Sequence, residues 1–308
     1  MPNFRVGAAE KLQAFTHTSV DAAGPFFVKV LRSQKKVWLL VFACLTYQAV
    51  HLEVIDSLDT ETFLKAFKRF TARRGIPLHM HSDNGGNFDR GSAELARAWY
   101  DLSQKVTKDS AVQYPQIEWT FLPPLAPHCN GVCERMVGAA KRAMKATMQP
   151  GALTENNFLT YVIVVEGILN TRPLGYVSSD PDALEALTPN PFLRGRLQGD
   201  ITPQESADWG LSKKLEKLEE LQHQFWQRYV EEVVPSFHQM NKWTTRRDNF
   251  AVDDVVATAD KKVRGRWPLA KVTQILPDGE GVVRQVEVLQ QGQILRRHVR
   301  QLLLLAHL

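Results

Sequence analysis

The stretch Met80-His81-Ser82-Asp83-Asn84-Gly85-Gly86-Asn87-Phe88 puts a carboxylate where a short strand should stop. It is followed at once by residues that tolerate positive φ and close backbone approach. An acid at the C-terminal end of a sheet strand, beside a flexible turn, is the usual place for a catalytic or ligand-binding group in an α/β fold. Alone, Asp83 reads equally well as a solvated turn residue; Asp21 and Glu134 tip the balance, because the elements around them put all three acids at comparable positions. Three converging carboxylates without matching basic partners repel strongly, so such a cluster implies bound divalent cations. Oxygen-only ligands favour Mg2+ or Mn2+ over zinc. Two such ions, about 3.5 to 4 Å apart, can activate a nucleophilic oxygen and stabilise the leaving oxygen in phosphodiester transfer. His51 and His81 flank this site on strands and read as packing groups, while His128, Cys129 and Cys133 fall short of the four ligands a structural zinc needs.

The elements that must position these acids follow from hydrophobic periodicity. Val20 to Leu31 reads as a strand with a bulge or turn after Asp21, and the nearly all-apolar Val37 to Cys44 as a central strand buried on both faces. Ala49 to Ile55 alternates Val50, Leu52 and Val54 against His51, Glu53 and Ile55 and should be its neighbour. Asp59-Thr60-Glu61-Thr62 starts a helix carrying Phe63, Leu64, Phe67 and Phe70, which Gly75 and Pro77 stop. The strand ending at Asp83 is followed by a helix from about Ser92 to Gln104, a strand from Gln116 to Leu122, and a loop at Pro123-Pro124-Leu125-Ala126-Pro127. A helix from Gly131 to about Met148 then carries Glu134 in its first turn. If the first and fourth strands are neighbours, Asp21 and Asp83 approach each other and a helix across that edge can bring Glu134 to them.

The chain has 308 residues, 44% hydrophobic, with a net charge of +5 and a pI near 9.1, which suits about two domains and a mildly polyanion-seeking protein. No apolar run reaches the roughly 18 residues of a membrane span, and no signal pattern opens the chain. Three cysteines fit a reducing compartment. Lys65, Lys68, Arg69, Arg73 and Arg74 read first as a solvated helix face and second as a DNA contact. Beyond an apolar helix from Phe158 to Leu169, Leu211 to Trp243 reads as a long amphipathic helix broken at Pro235, either packing on its own protein or forming a subunit interface. From Phe250 the pattern changes to short strands at 254–257, 269–275, 281–288 and 294–299, which predict a small SH3-like barrel. Its arginines, Arg296 and Arg297 among them, could hold phosphates without reading sequence.

Several segments recur together in order: Val20-Asp21-Ala22-Ala23-Gly24-Pro25-Phe26, Ala49-Val50-His51-Leu52-Glu53, Phe70-Thr71-Ala72-Arg73-Arg74-Gly75, Ser82 to Phe88, and Ala126 to Glu134. With Ile168 to Leu174 and Leu187 to Asn190, they resemble the integrase of Bel/Pao-type LTR retrotransposons. The resemblance implies an RNase H-like core, a mixed five-stranded sheet with helices, over residues 15–195 after a leader at 1–14, then a helical linker at 196–248 and the barrel at 249–308. It implies an Asp-Asp-Glu triad of Asp21, Asp83 and Glu134 holding two Mg2+ (or Mn2+) ions. The implied activity is a DNA strand transfer that trims 3′ ends and joins them to target DNA, by a homo-oligomer acting in the nucleus with a cytoplasmic phase. Lys141, Arg142 and Lys145 would then face DNA, together with Arg296 and Arg297. Two features depart from the family: no paired His and Cys precede Asp21, and Gly138 stands one turn beyond the acid where a DNA-contacting lysine is usual. The alternative reading is a domesticated, catalytically idle nucleic-acid-binding or assembly protein. A nuclease cutting RNA in hybrids shares the fold, but the barrel and the family segments count against it.

Overall fold

The computed structural model describes residues 13–83, 105, 117–122, 131–176, 186–195, 213–237, 250–277 and 283–307, with backbone only for 82–83, 120–122, 131–136, 176 and 235–237. The chain divides into two compact units, Met1–Glu166 and Gly167–Leu308. The expected helix at 92–104, the turn after Asp83, the proline loop at 123–127, and His128 with Cys129 lie outside the described residues.

In the first unit, β1 (His17–Val30), β2 (Ser33–Cys44) and β3 (Val50–Ile55) form an antiparallel meander, and β4 (His79–Asp83) and β5 (Glu118–Leu122) add in parallel to β1. The order across the sheet is β3-β2-β1-β4-β5. The register of β1 against β2 shifts between Ala23 and Phe26, so the bulge expected after Asp21 falls at Gly24-Pro25. Gly24 has φ +134, and a Cβ there would meet Trp38 Cδ1 at 3.1 Å and Val37 O at 3.3 Å, so the close approach of two strands requires glycine.

Helix α1 (Thr60–Arg74) starts where the sequence indicates: the Asp59 carboxylate accepts from the Thr62 amide at 2.8 Å, and Gly75 closes the C-terminus by donating to Thr71 O at 2.9 Å. Its buried Phe63, Ala66, Phe67 and Phe70 cover one face of the sheet. Phe70 stacks on Phe42 at 4.2 Å and meets Phe15 edge-on at 5.4 Å. Helices α2 (Gly131–Thr147) and α3 (Glu155–Leu169) follow.

The alternation in β3 misleads. His51 is fully buried and Glu53 is 4% exposed, because Phe42 pairs with His51 and Leu40 with Glu53, on the face that α1 covers. The arginines read as a solvated helix face are partly consumed here. Glu53 Oε2 accepts from Arg69 Nε at 2.7 Å, and Glu53 Oε1 accepts from Arg73.

In the second unit, β6 (Gly175–Tyr176) pairs with β7 (Ala186–Leu187), and Pro189 opens the short helix α4 (Pro189–Arg194). Helix α5 (Lys213–Phe237) continues through Pro235, which sits in its last turn rather than breaking it. It buries Leu218, Phe225, Trp226, Tyr229 and Val233. Trp226 meets Trp267 edge-on at 5.5 Å, and its Nε1 donates to Asp260 O at 2.7 Å, so the helix packs on the sheet domain behind it. That domain is a five-stranded antiparallel sheet of barrel-like kind, in the order β11-β10-β9-β8-β12. Its strands are β8 (Val255–Thr258), β9 (Leu269–Pro277), β10 (Val283–Gln290), β11 (Gln293–His298) and β12 (Leu302–Ala306). The last strand goes beyond the four that the sequence pattern predicts; Leu302 to Leu305 forms it by pairing with β8 after a one-turn 3-10 helix at Val299–Gln301.

Candidate active site

Asp21 stands on β1 and Asp83 closes β4. The two strands are parallel, with His17 opposite His79, Ser19 opposite His81 and Val20 opposite Ser82, so positions 21 and 83 are the next residues along each. Neighbouring positions on parallel strands share a face. Val20 pairs with Phe42, which α1 covers, so Asp21 belongs to the opposite face. Glu134 is the fourth residue of α2. Two of the three acids thus stand on adjacent strands, as the element order predicts, while the side chains of Asp83 and Glu134 lie outside the described residues. Among the described residues no group of three His, Cys, Asp or Glu side chains could hold a metal ion.

The Asp21 side chain is described, and it already holds a cation. Its Oδ1 accepts from the Ala22 amide at 2.6 Å, and its Oδ2 takes the Lys141 ammonium, which also donates to Ala22 O at 3.0 Å. Lys141 is 25% exposed and Asp21 37%. A carboxylate on the central strand that draws an ammonium from a helix residue 120 positions away is a site whose donor chemistry fits a hard cation. The sequence pattern has Lys141 facing DNA; in this arrangement it reaches a phosphate only by leaving Asp21.

Arg142 and Lys145 are exposed on α2. A Cβ added at Gly138 would lie 3.4 Å from Arg142 Nη1, so the guanidinium covers the turn at which the expected lysine is missing. His81, opposite Ser19, shares the Asp21 face two residues earlier, and burial, reinforced by His17 and His79, holds it below its ordinary pKa of 6.5. It is therefore a neutral neighbour. The His17 and His79 rings stack at 4.5 Å.

Sequence reasoning missed the polar network behind β3. Glu166 Oε2 accepts from the Leu52 amide at 2.8 Å, and its Oε1 accepts from Arg74. Arg74 Nε donates to His51 Nδ1 at 3.3 Å, a nitrogen that also lies 3.3 Å from Glu166 Oε2, and His51 Nε2 lies 3.1 Å from Glu53 Oε1, so the ring sits between two carboxylates. Burial lowers the His51 pKa from 6.5, outweighing the opposite pull of Glu166. Burial alone would raise Glu166, but His51, the Leu52 amide and Arg74 outweigh it and its pKa is lowered. The network ties β3, α1 and α3 together. The signal in the sequence was an acid within each of two mainly apolar stretches, Glu53 in β3 and Glu166 in the second half of α3.

In the barrel, Arg296 and Arg297 are neighbours on β11 and so point to opposite faces. Arg296 pairs with Glu287, whereas Arg297 pairs with the core residue Val286.

The strand order, the antiparallel meander leading into two parallel strands, and the paired acid positions define an RNase H-like fold with a small antiparallel barrel-like domain after it. Residues 213–305, from the start of α5 into β12, match a sequence family described as a family of unknown function (DUF5641). No curated protein matches the chain. Among solved structures, the chain is similar to the HTLV-2 integrase catalytic core domain in complex with magnesium, at 20% identity over 44% of this chain and 72% of that one, with a TM-score of 0.29. It is likewise similar to the catalytic core domain of BIV integrase, at 19% identity over 43% and 70%, with a TM-score of 0.29. The simian T-cell lymphotropic virus intasome in complex with the PP2A regulatory subunit B56 gamma matches at 12% identity over 96% and 80%, with a TM-score of 0.36. No helix among the described residues is long and apolar enough to cross a membrane.

Proposed function

We propose that the chain is a DNA strand transferase of the Bel/Pao-type retrotransposon integrase kind. The observation that supports this reading is the parallel pairing of β1 with β4, whose register runs up to Asp21 and Asp83 on adjacent strands, with the Asp21 carboxylate paired to the Lys141 ammonium. In this reading Asp21, Asp83 and Glu134 would hold two Mg2+ or Mn2+ ions, which would supply activation of water for end trimming and of a DNA 3′-hydroxyl for joining. The chain's own part is to orient the acids on two strands and a helix, and to keep Lys141, Arg142 and Lys145 on α2 where phosphates approach. Residues 15–195 carry the chemistry and 249–308 grip DNA, joined by 196–248, in a homo-oligomer working on nuclear DNA.

The test incubates the full chain with a duplex of element ends, Mg2+ or Mn2+, and a target plasmid. Joined products are expected, and Glu134→Gln should abolish them while keeping the fold, because an amide neither supplies the charge nor bridges two ions. Binding without joining would replace this reading with that of an idle nucleic-acid-binding protein, and undiminished joining by Glu134→Gln would remove the triad assignment.

A further inference from the structure

Leu31 stands at the tip of the β1–β2 hairpin and is 90% exposed, more than any other large apolar side chain among the described residues. Val30 pairs with Ser33, so Leu31 and Arg32 alone make the loop. Two-residue loops of this kind need positive φ and favour glycine or asparagine there. Leu31 nonetheless has φ +54. A leucine in the left-handed region that leaves nearly all of its surface in water adds nothing to the stability of its own fold.

The tip is carried on a braced two-stranded ribbon. β4 pairs with β1 only over His17 to Val20 and β3 with β2 only over Trp38 to Ala43, so β1 and β2 run on beyond their neighbours. The Gly151 amide donates to Phe27 O at 2.9 Å and the Lys29 amide to Leu153 O at 2.8 Å, which fastens the ribbon to the segment between α2 and α3. Lys29, Arg32 and Lys36 are exposed around the tip and have no carboxylate partner among the described residues, whereas Lys35 is taken by Glu155 and Asp56. Lys36 stands across from Phe27, two residues before Lys29, so Lys29 and Lys36 share a face.

An apolar point ringed by cations on a β-ribbon has the chemistry of a minor-groove wedge. The cations neutralise phosphates on either side, and the apolar group enters between two base pairs, unstacking them and kinking the duplex. Leu31 follows Asp21 on the same strand. At about 3.3 Å per residue the two are at most about 33 Å apart, against about 34 to 36 Å for one turn of the double helix. One duplex can therefore meet both within a single turn.

We infer that Leu31 is a wedge that kinks the duplex lying across the acids, with Arg32, Lys29 and Lys36 holding the phosphates beside it. The inference rests on the reading of this chain as a DNA strand transferase and adds to it a contact that deforms the duplex. The preferred point of entry is a flexible pyrimidine–purine step, chosen by its ease of unstacking and not by hydrogen bonds to bases.

The test titrates the full chain with duplexes carrying a dye at each end and 2-aminopurine at successive positions around a central TA step. The parent chain should shorten the end-to-end distance and raise 2-aminopurine fluorescence. Leu31→Gly removes the wedge and relieves the backbone, so it should lose both signals while its urea midpoint equals or exceeds that of the parent. Leu31→Phe should keep both signals. Arg32→Ala with Lys36→Ala should weaken binding and make the log-log salt slope shallower by roughly 0.9 for each phosphate no longer neutralised, whereas Leu31→Gly, which removes no charge, should keep the parent slope. If the parent chain binds no duplex at low salt, the DNA reading fails and the wedge with it. If it binds without bending or unstacking, or Leu31→Gly bends the duplex as the parent does, the wedge alone is overturned and the DNA reading stands. A lower urea midpoint for Leu31→Gly would assign the leucine to the fold and also overturn the wedge. Binding to phosphatidylserine–phosphatidylcholine vesicles that Leu31→Gly abolishes, with DNA bending intact, would assign the tip to a lipid surface instead.

Discussion

Replacing Lys141 by methionine keeps the apolar stem on α2 and removes only the ammonium that holds Asp21. At 4 Å and an effective dielectric of about 20, Coulomb's law gives such a pair roughly 4 kcal/mol. The two groups are 25% and 37% exposed, however, and pairs open to solvent measure about 0 to 1 kcal/mol once screening and side-chain entropy are counted. The upper end of that range is the appropriate figure, because the ammonium makes a second bond, to Ala22 O, that limits its freedom. A divalent ion arriving at Asp21 must displace the ammonium and forfeit that attraction. Lys141→Met should therefore bind Mn2+ more tightly by about fivefold, the factor that corresponds to about 1 kcal/mol. The assay is electron paramagnetic resonance of free Mn2+ in titrations of the full chain without DNA, with Asp21→Asn in parallel. Equal or weaker Mn2+ binding by Lys141→Met would refute the competition, and undiminished binding by Asp21→Asn would remove Asp21 from the ligand set.

Glu53→Gln leaves Arg69 and Arg73 without their anion and should cost about 2 to 3 kcal/mol in urea unfolding, at or below the 3 to 5 of a fully buried pair because both arginines are half exposed. Acid should destabilise the protein in two stages. His51, with its folded pKa below 6.5, contributes stability that is complete above about pH 6.5 and lost as pH falls through the lowered value. Glu166, lowered from 4.5, does the same below about pH 4.5, and His51→Gln should remove the first stage from a plot of urea midpoint against pH. Gly265→Ala should lower the melting temperature, with a loss of about 1 to 3 kcal/mol, since φ is +72 and the new Cβ would lie 2.9 Å from Thr171 Cγ2. A fragment of residues 213–308 should unfold cooperatively, whereas 250–308, which loses Trp226 against Trp267 and Arg264's partners Glu219 and Gln222, should not; equal cooperativity in both would show that α5 is dispensable.

Where a signal is local, the sequence by itself determined the outcome. The cap at Asp59, the stop at Gly75, the apolar run of β2 and the change to short strands after Phe250 each depend on a few adjacent residues, and the structure follows them. The order of strands and helices also brought Asp21 and Asp83 to neighbouring strands, because two acids at equivalent strand positions need only the right pairing to meet. Coverage and partnership were decided by the tertiary structure. A period of two says that His51 and Glu53 share a face, but not that α1 will bury it, and an arginine on a helix looks the same whether water or a buried carboxylate receives it. The run Leu302 to Leu305 became a strand only because the edge of β8 was open to it. Lys141 reads in the sequence as a free cation on a helix; the fold turned it into the counterion of Asp21, 120 positions away, since attraction over that separation exists only once the fold has closed the distance.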